Sequence, residues 1–356
     1  MKFEVLSLSN KKEWSALLSK LPIEQQDIYF TPEYYELYEN NGEGKALCFV
    51  FEENDEIALY PFLINSVNEL GYDLDNEYFD IQGAYGYNGI VTNSFSTDFI
   101  DKFYKAFDEY CLRNNIIAEF IRFHPLLGNN KFSINNMQVI FDRKTVFLDL
   151  KKSYENIWKY EYTSNNRNMI RKAQKNGYSC KVISSPTQNQ IDQFTLIYWD
   201  AMKMVGADDY YLFNKEFFYN TFKYLNNNAF LFNIVDANNR ISCSAIFFHF
   251  EDYFHYHLSG RTEIADNSTN NFLLDEAIKF AQSIGSKKIH FGGGRSTSPD
   301  DTLLKFKNNF SKSHLSFYIG KKIHNQKIYD EVVKQWETKF PEKKEKYNNL
   351  LLKYRY

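Results

Sequence analysis

Residues 288–310 read KIHFGGGRSTSPDDTLLKFKNNF. An apolar strand runs straight into Gly292, Gly293 and Gly294, then into Arg295 and a polar loop, and a short amphipathic helix over 300–310 follows. Glycines at the end of a buried strand let the backbone approach a ligand closely and take up positive φ; an ordinary loop explains the same run. Arg295 beside them can hold a phosphate or carboxylate. Lys305 and Lys307 stand two apart on the helix, so they point to different faces and only one can serve a common site.

Working outward, strand signals and helix signals alternate. Upstream lie a hairpin, AFLFNIV (229–235) and ISCSAIFFHF (241–250) around DANNR, then YFHYHLSG (253–260) and an amphipathic helix over 270–285 with a stop at Gly285. Further upstream come a basic helix ended by Gly177, the strand YSCKVI, a long helix capped by Thr187 and Gln190, and a helix over 214–226. HLSFYIG (314–320) is a last strand, and 325–355 reads as two helices broken at Pro341. The first half follows a similar order. Asn10 and Glu13 form a capping-box pattern, and 46–52 with 56–64 make a hairpin around Glu53-Asn54-Asp55. A Gly/Tyr-rich loop (81–91) comes next, then a helix with Ile100, Phe103, Phe107 and Cys111 on one face, and strands at 116–124 and 144–150. Each half thus has helices, an antiparallel meander, a helix and one more strand. The expected fold class is α/β (α+β), with mixed, mostly antiparallel sheets flanked by helices, in two domains: 1–150 joined by the C-terminal helices 325–356, and 151–324.

Composition narrows the function. The chain has 356 residues, enough for two domains, and a net charge of −3, which lacks the basic footprint of a nucleic-acid binder. Aromatics reach 18%, a level that an AT-rich genome also spells. Cys48, Cys111, Cys180 and Cys243 are scattered, suggesting neither a disulfide framework nor a metal site. The first residues lack the apolar core of a signal peptide, and no apolar run approaches the roughly 18 residues a membrane span needs. A cytoplasmic protein is the expectation.

The duplicated order, the helix RNMIRKAQKNG, FIRFHPL in the first half and the FGGG…LLKFKNNF stretch resemble the GCN5-related N-acetyltransferase (GNAT) superfamily. Within it they resemble the double-lobed, Fem-like branch, and more closely N-acetyltransferases acting on nucleotide-linked amino sugars. The resemblance implies two tandem GNAT-like lobes, acetyl-CoA as co-substrate with no metal, and acetyl transfer to a sugar amine for cell-surface polysaccharide such as lipopolysaccharide. It implies no nucleic-acid partner and leaves a homodimer open. The alternative is a Fem-type transferase that draws on aminoacyl-tRNA and acts on a cell-wall precursor. Where GNAT enzymes carry a Q/RxxGxG/A loop, this chain reads GRTEIADNSTNNF, with Gly260 alone.

Residue by residue, the loop 260–271 leaves a strand and enters a helix, whose first-turn amides suit a phosphate. Gly260, Arg261, Ser268, Thr269, Asn270 and Asn271 are therefore candidates for the coenzyme A pyrophosphate, or else belong to a capped helix behind a surface loop. Phe291 and Gly292 would reach the splayed strands that admit the thioester in a GNAT fold. His255 and His257 share a strand face, and an imidazole that titrates near 6.5 suits the proton transfer; core histidines give the same pattern. His290 lies on the adjacent strand by analogy. The resemblance turns Lys307 inward, to steady an oxyanion or a substrate phosphate. Arg167, Arg171 and Lys175 form one helical stripe, either a solvated face or a phosphate grip. Tyr85, Tyr87 and His124 are candidates, with Arg295, for contacting the sugar nucleotide.

Overall fold

The computed structural model describes residues 2–263, 265–298 and 300–356, with Lys2 by its backbone alone. Ile264, in the 260–271 loop, and Pro299, in the loop after the glycines, lie outside the described residues. The chain divides into one unit of residues Met1–Asp142 with Phe317–Tyr356 and a second of Arg143–Ser316.

The first unit begins with β1 (Lys2–Ser7), α1 (Lys11–Ser19), α2 (Pro32–Asn40), β2 (Lys45–Glu53), β3 (Glu56–Ser66), β4 (Phe79–Gln82), β5 (Val91–Thr92), α3 (Thr97–Arg113) and β6 (Ile116–Arg122). The β2–β3 hairpin turns at Asn54, whose φ of 58° suits asparagine. Ser96 caps α3 by accepting from the Phe99 amide, and the helix lays Phe99, Phe103 and Phe107 on Phe49, Phe51 and Tyr60 of the sheet.

β7 (Gln138–Asp149) crosses the division in sequence. The second unit continues with α4 (Tyr154–Asn156) and a π-turn at Ile157–Glu161. It then runs α5 (Ser164–Lys175), β8 (Ser179–Ile183), α6 (Gln188–Met204), α7 (Lys215–Leu225), β9 (Ala229–Val235), β10 (Ile241–Phe250), β11 (Tyr253–Arg261), α8 (Thr269–Ser283), β12 (Lys288–Gly293) and α9 (Thr302–Lys307). β13 (Ser313–Ile323), α10 (Gln326–Lys339) and α11 (Lys344–Tyr347) end the chain.

The first unit's sheet runs β1-β2-β3-β4-β6-β13, with β5 against β3, and among the described strand pairs only β4–β6 is parallel. The second runs β8-β9-β10-β11-β12-β7, and among its described strand pairs only β11–β12 is parallel. Each unit thus has an antiparallel meander, a crossover helix, and a strand added in parallel. The crossover helix α8 buries Phe272, Leu273, Leu274, Ala277, Ile278 and Ala281 in a core with Phe230, Phe232 and Phe254. The C-terminal helices belong to the first unit, where Ile328, Val332 and Trp336 pack with Tyr72, Ile117 and Ala118. Among the described residues no helix is long and apolar enough to cross a membrane.

Candidate active site in the second unit

β11 and β12 pair over three positions only among the described residues: Tyr253 with Lys288, Phe254 with Ile289 and His255 with His290. Beyond them both strands change register. On β12 the ladder with β7 slips between His290 and Gly292. On β11 the ladder with β10 passes from Phe247↔Tyr256 to Ile246↔Leu258, which leaves His257 as the extra residue. A bulge bends its strand and increases its twist; one on each side opens a gap between two parallel neighbours. Gly292 carries the β12 bend at φ 75°, a conformation costly for any residue with a Cβ.

The glycines beyond the bend make room for charged groups. A Cβ on Gly294 would lie 2.5 Å from Asp301 Oδ1, so only glycine lets that carboxylate in. Asp301 caps α9, accepting from the amides of Leu304 (2.9 Å), Arg295 (2.9 Å) and Ser296 (3.0 Å). Burial pushes its carboxyl up, but these donors outweigh that and hold it at about 2. Lys307 is 6% exposed, and its Nζ donates to the Gly293 carbonyl at 2.6 Å. The Nζ lies 5.9 Å from the Tyr256 ring centre, and a Cβ on Gly292 would be 3.3 Å from it. Burial brings the ammonium down from 10.5 to about 7, against an opposing pull from Asp301. Arg143 Nη1 donates to the Gly294 carbonyl at 3.0 Å. Lys305 is exposed and pairs with Asp300 at 2.8 Å, while the Arg295 side chain is exposed.

His255 and His290 are buried, with ring centres 5.9 Å apart. His257 is half-buried with its ring 4.3 Å from that of Phe248. Burial, aided by His255, pushes its imidazole down to about 3, so it is a far weaker base than the free imidazole on which its expected role rested. The Phe291 side chain is fully buried beside Phe310 in the core. Tyr256, which sequence reasoning passed over, is half-buried, hydrogen-bonds with Ser259, and is the β11 side chain that faces Lys307. Its signal was the strand's alternation, which puts it opposite the two histidines.

The α8 tip departs most from expectation. A Cβ on Gly260 would meet the Ile197 carbonyl of α6 at 2.6 Å, so this glycine serves packing. Ser268, Thr269 and Asn271 are buried; Thr269 Oγ1 donates to the Asp266 carbonyl at 2.9 Å and Asn271 to Asn166 at 2.7 Å. Asp266 accepts from the Ser268 amide at 2.7 Å and pairs with Lys172 at 2.8 Å; these partners hold its carboxyl at about 2. A pyrophosphate at this tip would meet an ionised carboxylate. Of the six residues proposed for the carrier, Arg261 is exposed and Asn270 half-buried. Arg261 also borders a groove of about 440 Å³ with Ile197, Lys203 and Met204.

No family model matches the chain, and no curated protein sequence matches it. Solved structures do. FemX is similar with a TM-score of 0.70 at 13% identity, over 93% of this chain and 99% of that one. The C-terminal (DUF2156) domain of a putative lysylphosphatidylglycerol synthetase from Agrobacterium fabrum gives 0.58 at 12% identity, over 94% and 97%. A tandem GNAT protein from the clavulanic acid biosynthesis pathway gives 0.51 at 7% identity, over 91% and 98%. The chain has the double-lobed, Fem-like GNAT fold.

The two GNAT lobes differ where the parallel strands part. In the first, β4 and β6 pair over four positions, and beyond them Asn88 fills the space. Its amide donates to the Arg122 carbonyl at 2.7 Å, its side chain accepts from the Arg122 amide at 2.8 Å, and Asn129 holds its carbonyl at 3.0 Å. The Gly/Tyr-rich loop thus closes the first lobe's opening. Tyr85, Tyr87 and His124 belong to this lobe. The Tyr85 carbonyl accepts from Tyr34 at 2.5 Å; Tyr87 packs on Tyr29 and His124; His124 is buried, 3.0 Å from Asp27. In the second lobe, Arg167 and Arg171 lie on α5. Arg167 Nη1 donates to the carbonyls of Trp158 (3.2 Å) and Tyr162 (2.5 Å), and exposed Arg171 lies over the Trp158 ring. Neither arginine touches Lys307, Tyr256 or the glycines in these contacts.

Proposed function

We propose that the second lobe is an N-acyltransferase whose reaction takes place in the gap between β11 and β12. The observation that carries this reading is the three-pair ladder that opens beside a buried Lys307. An acyl carbonyl entering the gap would lie alongside strand edges that no longer bond each other. An amine attacks the carbonyl carbon, the carbonyl π pair moves to oxygen, and the intermediate collapses with cleavage of the carrier bond. The proton lost by the amine ends on the leaving group. Lys307, as an ammonium, donates to the developing oxyanion from a dry site, where such a donor is worth most. With its proton held near neutrality it exists in both forms around pH 7. His257 stays neutral and takes no proton-carrying role in this reading.

The donor in this reading is acetyl-CoA, and the acceptor is the amine of a nucleotide-linked amino sugar. Incubation with acetyl-CoA and a panel of such sugars should release free thiol only when both substrates are present; no thiol with any amine acceptor overturns it. One observation favours a second reading, a Fem-type transferase drawing on aminoacyl-tRNA. Asp266 occupies the helix tip where a coenzyme A pyrophosphate would rest. Binding of charged tRNA with a steep salt dependence, together with transfer from it, would establish that alternative.

A further inference from the structure

The second unit holds a further cavity, of about 720 Å³, which shares no lining residue with the Lys307 cluster. Tyr154, Trp158, Lys159, Arg167, Arg171 and Lys279 line it. That size falls within the roughly 300–1,000 Å³ of small-ligand pockets. Its wall is α5, whose sequence SNNRNMIRKAQK holds Arg167, Arg171, Lys172 and Lys175 and no acid, in a chain of net charge −3.

The cations here are held, which separates this wall from a solvated lysine face. Arg167 is braced by the Trp158 and Tyr162 carbonyls, so its guanidinium stays at the wall. Arg171 stacks 5.3 Å from the Trp158 ring centre. Trp158 is fixed in turn between Tyr154 and Tyr162, at 6.2 Å and 5.6 Å. Lys279 spends its charge on Asp275 (2.7 Å) and Glu276 (2.8 Å), and among the described lining residues Glu155 is the one acid. Lys159, Arg167 and Arg171 therefore outweigh the acid. A fixed indole beside two ordered guanidiniums suits a ligand that has both a flat ring and a compact negative charge. Arginine and aromatic rings together grip nucleobases and phosphates for the same reason.

We propose that this cavity binds a phosphorylated heteroaromatic ligand, of which a mononucleotide is the simplest, with its ring on Trp158 and its phosphate on Arg167, Arg171 and Lys159. The site shares no lining residue with the Lys307 cluster, and a binding measurement tests it without any acyl transfer. Calorimetric titration of the full chain with AMP, GMP, CMP and UMP tests it, beside inorganic phosphate and phosphatidylglycerol vesicles. Saturable binding of at least one mononucleotide is expected, weakened roughly tenfold by Arg171→Glu and by Trp158→Leu. Arg171→Glu, on an exposed side chain, should leave the melting temperature unchanged. The proposal fails if no mononucleotide binds, if both variants bind as the parent does, or if inorganic phosphate binds as tightly as the best nucleotide. It also fails if vesicles sediment the protein while nucleotides do not bind, since the patch would then belong to a lipid headgroup.

Discussion

Lys307→Met isolates the cost of keeping a lysine in the gap. The ammonium titrates at 10.5 when exposed and at about 7 in the fold, because burial disfavours the charge. Each pH unit between those values is worth ~1.4 kcal/mol, so a charged Lys307 costs the folded state about 5 kcal/mol. The sign follows from the folded value lying below the unfolded one. Between pH 7 and 10.5 the unfolded chain holds the proton and the folded chain does not, so stability rises with pH across that window and the penalty is full below it. Methionine keeps an apolar stem and removes the charge, and it forfeits the hydrogen bond to the Gly293 carbonyl, worth about 1 kcal/mol. The variant should therefore be more stable than the parent by about 4 kcal/mol at pH 6 and by about 1 kcal/mol at pH 9. Urea titrations of both proteins at the two pH values, following the second unit's transition, measure this. A variant less stable than the parent at pH 6, or a difference that does not shrink with pH, refutes the reasoning. Residues kept at a stability cost are characteristic of active sites.

Three further outcomes follow. Gly292→Ala forces a Cβ into φ 75° and against the Lys307 Nζ, so it should lower stability by about 1–2 kcal/mol and reduce acyl transfer more than tenfold, read by thermal melting and thiol release. Arg355 bonds both oxygens of the buried Asp80, at 3.0 and 2.7 Å, so Arg355→Ala should destabilise the first unit by about 3 kcal/mol, and the double variant Asp80→Asn/Arg355→Ala should recover part of that loss in the same urea titration. Asp266→Asn removes a carboxylate from the α8 tip and releases Lys172, so calorimetry should show coenzyme A binding tightened roughly threefold; unchanged or weaker binding would place the carrier elsewhere.

Element identities were legible wherever local chemistry decides them. Thr187 and Gln190 form the reciprocal cap that starts α6, and the turn at Asn54 closes the expected hairpin. Asn10 shows the limit: it serves as the far partner of a cap set by Ser7, and α1 begins at Lys11. α2 went unseen because PEYYELYEN buries Tyr34, Tyr35, Leu37 and Tyr38 and offers no clean polar stripe, although Thr31 and Pro32 were start signals. The parted strands were expected from the resemblance alone; the bulges that part them were out of reach, because a bulge is a property of two strands in register. The two-residue spacing of Lys305 and Lys307 did separate an exposed lysine from a buried one. At the α8 tip the helix start was read without Asp266, whose place two residues before Ser268 is the signature of a loop that caps itself.

The central claim, that the parted strands receive an acyl group beside Lys307, is tested most directly by a crystal structure of the protein with acetyl-CoA. The account expects the thioester carbonyl between β11 and β12, with its oxygen within hydrogen-bond reach of the Lys307 Nζ. A carrier bound elsewhere, with β11 and β12 drawn together along Tyr256–Leu258, would contradict it.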